Sequence, residues 1–510
     1  MLDYCPEGIS MWDTWYILHQ GTTHMFHLQN LSKDSQRKPE EGHWLGHATS
    51  TDLIHWTEQP YALGPDPNDP RDDLTPWSGC VNTDHQGKFY FYYTMRGTDA
   101  DGMSQRIGLA LSDDLYHWTR YPNNPALIPD PRYYLSYETP LLKNTVDCRD
   151  MIIVDDPEGN GYVGIFAARY PGGDEQAQTA VFGAARSYDL IHWEQLPPAF
   201  VPRKYASIEL PDVYFLNGRW YLTCLTGNRY GNRGLFSDPT LRYGTIYAVA
   251  DRPEGPYHEI EDDNVLIGGQ LYNGYSCRSL VFEGERYTFY TQQVPPNHSE
   301  SVSPPMRTVT LPDGRLRLAY NPRTAALRTQ TLIAPGATPA ITKLPYTQNY
   351  WYMNDGDWQL TDGKYIGTAK SGWQSADLGV GAVNCEFEAT VVLQRGVAVG
   401  LIFRPDTSIP YAGNDREGDF VFMLDANEQR LVCARLPVFD QDRRRSFPVE
   451  YGKAYHLRLC MRPPRFEVFV DDILVLQSAL EFPALTHPSV GLFVDRGVAE
   501  ITNLAAYKLG

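Results

Sequence analysis

One heptapeptide pattern, Ser-x-Asp-Leu-x-His-Trp, occurs three times in the first half of the chain. The copies read STDLIHW from Ser50, SDDLYHW from Ser112 and SYDLIHW from Ser187, so 62 and 75 residues separate successive copies. Recurrence at a period of this size is typical of a propeller or an array, in which each unit buries its faces only by stacking on its neighbours. At least the first half of the chain is therefore expected to consist of repeated units.

Strand-like segments surround the three copies. RIGLALS leads into the second copy and TAVFGAARS into the third, while GKFYFYYT and GRWYLTCLTG begin at glycine-containing turns. Long helical periodicity is absent. Four strands per repeat at this spacing fit about five blades in residues 1–295, so the sequence predicts an all-β fold that begins with a five-bladed β-propeller.

The residues of the repeated motif have structural explanations. Ser and Asp are expected to tie a turn by accepting hydrogen bonds from backbone N–H groups, while Leu and Trp pack between blades. His55, His117 and His192 are accordingly predicted to be turn or packing residues. Because they belong to different blades, no metal site is expected from them.

The character of the sequence changes after Gln293. VPPNHSESVSPP reads as an exposed Pro/Ser-rich stretch and LPDGRLRLAYNP as a hairpin, so residues 296–343 are assigned to a linker with a hairpin. Residues 344–510 contain alternating segments such as CEFEATVVL and SVGLFVD, separated by Gly, Asp and Asn turns. This pattern predicts a second domain, an antiparallel β-sandwich.

Charge and composition narrow the class of partner. A formal net charge of -18, with no Lys/Arg run or basic stripe that could locally reverse its sign, argues against nucleic acid, whereas 34 Tyr and 11 Trp suit both strands and sugar-stacking surfaces. The eight cysteines are scattered singly and are predicted to be buried free thiols. The acidic N-terminus does not resemble a signal peptide and no apolar run is long enough to span a membrane, so a cytoplasmic protein is expected.

Three acidic residues, Asp13, Asp150 and Glu209, each begin an apparent inner strand in a different blade. The inner strands of a propeller converge at the axial mouth, so one acid from each of three regions can point at a common axis. Arg149, next to Asp150, is expected to hold that carboxylate ionised and oriented. Arg278, in YNGYSCRSL, is a further candidate for the mouth of the funnel.

At these residues the chain resembles the β-fructofuranosidase-like glycoside hydrolases of families 32 and 68 and, more distantly, family 43. The resemblance to family 32, a five-bladed propeller followed by a β-sandwich, covers essentially the whole chain. The W-G-H-A-x-S-x-D-L-x-H-W signature of that family is similar to the stretch from Trp44, with Leu45 added. The other family motifs are matched at Asp13 and Gln29 of the first hairpin, Trp77-Ser78-Gly79-Cys80, Arg149-Asp150-Met151 and Glu209-Leu210-Pro211-Asp212.

The resemblance implies roles for these residues. Asp13 would be the nucleophile, Glu209 the general acid and base, and Asp150 the carboxylate that binds sugar hydroxyls and stabilises the oxocarbenium-like transition state. One acid must attack in its ionised form while the other arrives protonated, so their environments must separate their pKa values. The candidate substrate-binding residues are Trp12, Gln29, Trp44, Trp77, Ser78 and Arg149.

Several positions depart from the family pattern. Trp12 replaces the Asn that precedes the motif aspartate, and the residues after Asp13 are Thr14-Trp15-Tyr16 instead of Pro-Asn-Gly. Met151 replaces the Pro of the R-D-P motif, and Leu210 replaces the Cys of the E-C-P-D motif. The two tryptophans add bulk and stacking surface, so the sugar pocket is expected to be reshaped. The resemblance requires no metal or other cofactor.

The main functional prediction is a retaining glycosidase that cleaves terminal furanosides, most simply β-fructofuranosides such as sucrose or a fructan. An inverting arabinofuranosidase or xylosidase of the family 43 type would use the same three acids; retention needs carboxyl groups about 5–5.5 Å apart and inversion about 6.5–9.5 Å. A fructosyltransferase shares the first half-reaction. A carbohydrate-binding protein without turnover is the alternative from another class. The second domain could bind glycan, pack against the propeller or form a dimer face.

Overall fold

The structure, a computed structural model, describes residues 3–100, 102–137, 146–159, 161–171, 179–227, 243–260, 264–269, 273–294, 299–344, 356–407, 418–436, 440–480 and 485–510. The described chain is rich in strands and contains only short 3₁₀ helices, at Pro39–His43, Thr98–Ala100 and Pro322–Leu327. The all-β prediction is therefore confirmed. The chain divides into two compact units, Asp3–Leu318 and Ala319–Gly510.

The first unit is built from short antiparallel strands. They are β1 (Ile9–His19), β2 (Thr22–Leu31), β3 (Gly46–Ser50), β4 (Thr57–Glu58), β5 (Trp77–Thr83), β6 (Phe89–Arg96), β7 (Gln105–Ser112), β8 (Thr119–Arg120), β9 (Arg149–Asp155), β10 (Tyr162–Arg169), β11 (Ala180–Ser187), β12 (Glu194–Phe200), β13 (Glu209–Leu216), β14 (Arg219–Gly227), β15 (Tyr243–Ala250), β16 (His258–Glu259), β17 (Val265–Gly269), β18 (Asn273–Phe282), β19 (Glu285–Val294), β20 (Ser299–Val302), β21 (Met306–Thr310) and β22 (Leu316–Ala319).

These strands form successive small sheets in a propeller-like arrangement. Strands β1–β4, β5–β8 and β9–β12 each make a four-stranded sheet, and β13–β16 make another to which β17 is added beside β15. Strands β18, β19, β21 and β22 follow as neighbours, with β20 also paired to β19. The first strand of each set lies inside: β1 neighbours β5 and β18, β9 neighbours β5 and β13, and β13 also neighbours β18.

Tight turns and interlocking side chains explain why the sheets form and stack. Asn217 and Gly218 join β13 to β14 with φ values of 48° and 86°, as expected for a two-residue Asn-Gly hairpin turn. Hydrophobic clusters occupy the spaces between neighbouring sheets and supply most of the burial. Residues from neighbouring sheets share these clusters; examples are Phe26 with Phe91, Tyr92 with Phe166, Ile165 with Leu222, and Met25 with Phe289.

The structural interpretation of the repeated heptapeptide is confirmed. In the third copy, Ser187 Oγ accepts from the backbone N–H of Asp189 and Leu190, and Asp189 Oδ1 accepts from that of His192. The same bonds recur in the other two copies. Each motif Leu is fully buried between sheets, whereas the side chain of His192 is 83% exposed and donates or accepts only at Asp189, 2.7 Å away.

Part of the stretch that the sequence assigns to an exposed linker is strand. Residues 299–302 form β20, and Val302 is buried against the cluster that contains Phe289. The reason is long-range pairing, because Tyr4 near the start of the chain exchanges both backbone hydrogen bonds with Val302. Ser10 Oγ also accepts from the backbone N–H of Glu300 at 2.9 Å. Tyr4 and Ser10 are thereby hydrogen-bonded to strand β20 at the end of the same unit.

The second unit contains two larger antiparallel sheets. Its strands are β23 (Arg328–Ile333), β24 (Thr342–Lys343), β25 (Asp357–Thr361), β26 (Lys364–Thr368), β27 (Trp373–Asp377), β28 (Cys385–Arg395), β29 (Ala398–Arg404), β30 (Phe420–Asp425), β31 (Arg430–Arg435), β32 (Asp440–Ser446), β33 (Ala454–Arg462), β34 (Arg465–Val470), β35 (Ile473–Ala479), β36 (Ser489–Asp495) and β37 (Val498–Leu509).

Within this unit, one sheet has the order β35-β34-β33-β28-β37-β26-β25, with β23 also on β37, and the other has the order β24-β27-β36-β29-β30-β31-β32. A single hydrophobic cluster takes side chains from both sheets, including Phe387 of the first and Leu401 and Phe422 of the second. The alternating apolar residues that identify these strands in the sequence are the residues that this cluster buries.

Two further observations concern the whole described chain. The eight cysteines are free thiols, and all except the half-buried Cys5 are buried, as the sequence predicts. Within the described ranges, no helix is both long enough and apolar enough to cross a membrane.

Candidate active site

Each inner strand of the first unit is irregular near its first residues. The pairing register of β1, β5, β9, β13 and β18 shifts at this point, which is the signature of a β-bulge. A bulge bends its strand and redirects a side chain, and bulges are common beside active sites. The residues at the five bulges are Asp13, Ser78, Asp150, Leu210 and Ser276.

Four of these five residues have left-handed backbone conformations. The φ values are 45° for Asp13, 60° for Asp150, 53° for Leu210 and 55° for Ser276. Aspartate tolerates this region, but for a bulky residue such as Leu210 it is a strained conformation that costs on the order of 1–3 kcal/mol. Strain of this kind persists only where the surroundings enforce it. Its concentration on one set of bulges indicates a functional site.

Asp150 is fully engaged by its neighbours. Ser78 Oγ donates to its Oδ1 at 2.5 Å, and the backbone N–H of Leu210 donates to its Oδ2 at 3.1 Å. Arg149 Nε lies 3.5 Å from the same Oδ2, and Thr94 Oγ1 accepts from the backbone N–H of Asp150 at 3.1 Å. Both carboxylate oxygens therefore have donors, and the residue is only 3% exposed. This environment fixes the carboxylate in one orientation.

Arg149 joins two of the three predicted acids. Its Nη2 donates to Glu209 Oε1 at 3.0 Å and to Ser207 Oγ at 3.1 Å, while Asp147 Oδ1 lies 3.4 Å from Nη1. The sequence predicts that this guanidinium holds Asp150; in the structure it forms an ion pair with Asp150, and of the three acids it donates a hydrogen bond to Glu209. Burial alone would lower the pKa of Arg149, but attraction to Asp147, Glu209 and Asp150 raises it, so the side chain stays charged.

Asp13 has the opposite environment. Ser276 Oγ donates to its Oδ1 at 2.6 Å, and no described residue donates a hydrogen bond to Oδ2. Burial raises the pKa of the Asp13 carboxyl well above its ordinary value, and repulsion from Asp150, Glu209 and Glu300 adds to this, while Ser276 opposes it. Asp13 therefore has one carboxyl oxygen that is not committed to a protein donor, in a site with an excess of negative charge.

These electrostatics differ from the division of labour that the sequence predicts. The resemblance predicts an ionised Asp13 and a protonated Glu209. In the structure, burial raises the pKa of Asp13 and so favours its protonated form, and Arg149 forms an ion pair with Glu209. Acids that repel one another titrate as a group, so their pKa values belong to the cluster and not to one residue.

The remaining predicted substrate-binding residues occupy different surroundings. Trp12 and Trp77 pack, partly buried, against the cluster between the first two sheets, and the Arg96 guanidinium lies 3.8 Å from the Trp77 ring centroid. Gln29 is buried and donates to the backbone carbonyl of Glu41 at 2.7 Å, and no hydrogen bond links it to the three acids in the described part of the chain. The ring of Trp44, a residue that is 38% exposed, meets another aromatic ring edge-on 5.4 Å away.

Arg278 lies on the interior side of the bulges. It is 2% exposed and donates to the backbone carbonyls of Asp150, at 3.3 Å, and of Pro211. It also lines a cavity of about 260 Å³ between the inner strands, together with Asp212 and Arg286. The guanidinium therefore links the main chains of β9 and β13 just after the points where they carry Asp150 and Glu209.

Sequence reasoning missed residues that complete the site. Ser276 bonds Asp13, Thr94 holds the backbone of Asp150, and Glu300 contributes negative charge next to Asp13. Tyr275 donates from its hydroxyl group to Glu300 Oε1 at 2.5 Å. The sequence carries no signal for Ser276, which occupies in β18 the same bulge position as Asp13 in β1 only once the chain is folded. In the residues that the structure describes, no group of His, Cys, Asp and Glu is arranged to hold a metal ion.

Fold and site together define a class: an all-β, propeller-like protein whose bulged inner strands gather acidic side chains at one end. Residues 13–169 match the model of the glycosyl hydrolases family 32 N-terminal domain. The resemblance found in the sequence is thereby confirmed over these residues.

Similarity to individual proteins is local in sequence and extensive in fold. The chain is 38% identical over 103 residues to the fructan beta-fructosidase of Streptococcus mutans, a match that covers 19% of the chain and 6% of that protein. It is 32% identical over 124 residues to beta-fructofuranosidase 1 of Zea mays, covering 22% of the chain and 17% of that protein. The matches thus span less than a fifth of these relatives' own length.

A solved structure shares the fold over nearly its whole length. The exo-inulinase of Aspergillus awamori superposes with a TM-score of 0.68 at 15% sequence identity, covering 100% of this chain and 98% of that one. An identity this low is informative about the fold alone.

Proposed function

We propose that the chain is a glycoside hydrolase that removes terminal β-fructofuranosyl units by a retaining mechanism, with sucrose, fructo-oligosaccharides or fructans as its substrate class. The observation that carries the proposal is the contrast between two aspartates: both oxygens of Asp150 have donors, whereas Asp13 Oδ2 accepts no hydrogen bond from a described residue. An uncommitted carboxylate oxygen can attack carbon, and a fully bonded one can orient hydroxyl groups. The family relationship supports the same chemistry.

The proposed reaction has two balanced steps. Asp13 Oδ2 forms a bond to the anomeric carbon while the bond to the leaving-group oxygen breaks and Glu209 gives that oxygen its proton. In the second step Glu209 takes a proton from water, the water oxygen attacks the anomeric carbon, and the Asp13 carboxylate is released. Asp150, held by Ser78 and Leu210, would bind sugar hydroxyls and stabilise positive charge on the ring.

The protonation of the two acids is part of this proposal. Burial raises the pKa of Asp13 in the free site, whereas the reaction requires an ionised Asp13 and a protonated Glu209. Positive charge that develops on the sugar favours an ionised Asp13 in the transition state, and a leaving-group oxygen close to Glu209 offers the proton an acceptor. The enzyme would therefore select the productive proton arrangement when substrate binds.

We also propose that β18, β19, β21 and β22 complete a five-bladed propeller, and that the two sheets of the second unit form a β-sandwich. Contacts of β18 with both β1 and β13 support the closed ring. The hydrophobic cluster shared by the two later sheets supports the sandwich. In this arrangement the five bulges lie around one axis, which is the arrangement the proposed site needs.

The test is an assay of the purified chain on sucrose, inulin, levan and nitrophenyl furanosides, with the anomer of the first product followed by NMR. We expect fructose release with retention of configuration. Asp13→Asn and Glu209→Gln should each abolish turnover, and Glu194→Gln, an exposed acid of β12, should leave it unchanged. Inversion would instead favour the family 43 type of mechanism. Turnover in either site variant would refute the assigned roles.

A further inference from the structure

Strand β18 carries none of the three predicted acids, yet it makes a direct hydrogen bond to one of them. Ser276 lies at the bulge of β18, is fully buried, and donates its hydroxyl hydrogen to Asp13 Oδ1 at 2.6 Å across 263 positions of sequence. No other described residue donates a hydrogen bond to that carboxyl. The orientation of Asp13 therefore depends on this one hydroxyl group.

The geometry points to Ser276 as the positioning residue of the nucleophile: its hydroxyl group holds Asp13 Oδ1 and so directs Oδ2 towards the sugar. This inference rests on the proposed function, because it assigns a role relative to Asp13 as nucleophile. Ser276 would not contact the sugar or the bond that Asp13 forms to it. It would act only through the Asp13 carboxylate.

The charges around Asp13 explain why such a donor is needed. Asp150 on β9, Glu209 on β13 and Glu300 on β20 all disfavour a negative charge on Asp13, and Arg149, the nearby cation, is hydrogen-bonded to Glu209. A hydroxyl donor stabilises the ionised form of a carboxyl group relative to the protonated form. Ser276 thus favours the form of Asp13 that is able to attack.

The backbone of β18 supports the same interpretation. Ser276 has a left-handed conformation, with φ of 55°, which an L-residue adopts only at a cost. The preceding residue, Tyr275, donates to Glu300, so two consecutive residues of β18 each hold one carboxyl group. With Ser276 in this conformation, the Ser276 hydroxyl group bonds Asp13 and the Tyr275 hydroxyl group bonds Glu300.

The deciding experiment measures kcat and KM against pH for the full-length chain on a β-fructofuranoside that it hydrolyses. In Ser276→Gly the left-handed backbone is easily accommodated and the hydroxyl group is lost. We expect kcat to fall about tenfold to a hundredfold with a smaller change in KM, and the acidic limb of the pH profile to move upward by about one to two pH units.

Three comparisons separate positioning from a general structural effect. Ser276→Thr keeps a hydroxyl group and should retain the acidic limb of the parent even if the strained backbone lowers its stability. Ser276→Ala lacks the hydroxyl group and should share the shifted limb of Ser276→Gly. Gln20→Gly changes another residue of positive φ, 49°, at the far end of the same hairpin as Asp13, and should behave as the parent.

The possible outcomes distinguish two failures. If the parent chain hydrolyses none of the furanosides, the proposed function fails. If the parent is active and Ser276→Gly gives a pH profile that superposes on that of the parent, the role of Ser276 is overturned while the proposed function stands. A uniform loss of activity in Ser276→Gly without a shift of the acidic limb would likewise overturn it.

Discussion

Arg149 Nη2 donates a 3.0 Å hydrogen bond to Glu209 Oε1, although 60 positions separate the two residues in the chain. The same guanidinium reaches Asp147 and Asp150, so one buried cation neutralises part of a site that holds several carboxylates. A buried charge cluster of this kind depends on each partner, because removal of one leaves the others uncompensated. Arg149 is therefore expected to stabilise the site as well as to orient it.

The first prediction concerns this cation. We expect Arg149→Met to lower the free energy of unfolding by about 3 kcal/mol, because it removes the cation that Asp147, Asp150 and Glu209 share. Arg149→Lys keeps the positive charge but not the forked pair of donors, so it should lower the free energy of unfolding by less than Arg149→Met does. Urea denaturation of the three proteins measures the difference. Equal stability of Arg149→Met and the parent would contradict the electrostatic role.

The second prediction is a pH dependence of stability that involves Asp13. An unfolded aspartate loses its proton near pH 3.9, whereas the pKa of the folded Asp13 carboxyl is raised by burial and by neighbouring acids. Between these two values the folded state retains a proton that the unfolded state has released, so this group costs stability as the pH rises.

Asp13→Asn removes that titration and can still accept a hydrogen bond from Ser276. We therefore expect the variant to be more stable than the parent at pH 7, by about 1.4 kcal/mol for each unit of pKa shift, and to show little gain at pH 4. Thermal unfolding at the two pH values measures this. A variant that is destabilised equally at both would show that Asp13 is ionised in the free protein.

The general features of the fold and the identity of the acids could be predicted because they depend on local sequence. Alternating apolar residues and glycine turns define strands, and a motif repeated at intervals of 62 and 75 residues indicates repeated sheets. Asp13, Asp150 and Glu209 could be selected because each precedes an apolar strand and matches a family motif. The structure brings Arg149 into contact with two of them and Ser78 with one.

What the sequence could not provide was the set of contacts between distant strands. The bond from Ser276 to Asp13 depends on bulges in β18 and β1 and on backbone conformations that no residue type there requires. The strand at residues 299–302 and the burial of Val302 likewise depend on pairing with the start of the chain. The raised pKa of Asp13 follows from burial and from several charges at once, which only the folded arrangement determines.

The third prediction concerns the repeated heptapeptide, whose histidine could be mistaken for a catalytic residue. Asp189 Oδ1 accepts from the backbone N–H of Ile191 and His192, while the His192 ring is largely exposed. We expect Asp189→Ala to lower stability by about 1 kcal/mol and His192→Ala to change it by less than about 0.5 kcal/mol. Neither should alter kcat. Loss of turnover in His192→Ala with unchanged stability would assign the motif a catalytic part.

The last prediction concerns Arg278, whose guanidinium holds the backbone carbonyls of Asp150 and Pro211 from inside the unit. Its planar fork can satisfy two carbonyls at once, and an ammonium group cannot reproduce that geometry. Arg278→Lys should therefore lower kcat about tenfold, because small displacements of β9 and β13 misplace Asp150 and Glu209. KM should change less, since the substrate does not contact this side chain.

A matched control is available in the same cavity. Arg286 also lines it and donates to Ser279 Oγ at 2.8 Å, but it makes no described hydrogen bond to the main chain that carries the acids. Arg286→Lys should keep the kcat of the parent. Because both substitutions exchange a guanidinium for an ammonium group in one cavity, a selective loss in Arg278→Lys would identify the link to β9 and β13 as the cause. Equal kcat values in the two variants would mean that the bulges hold their shape without Arg278.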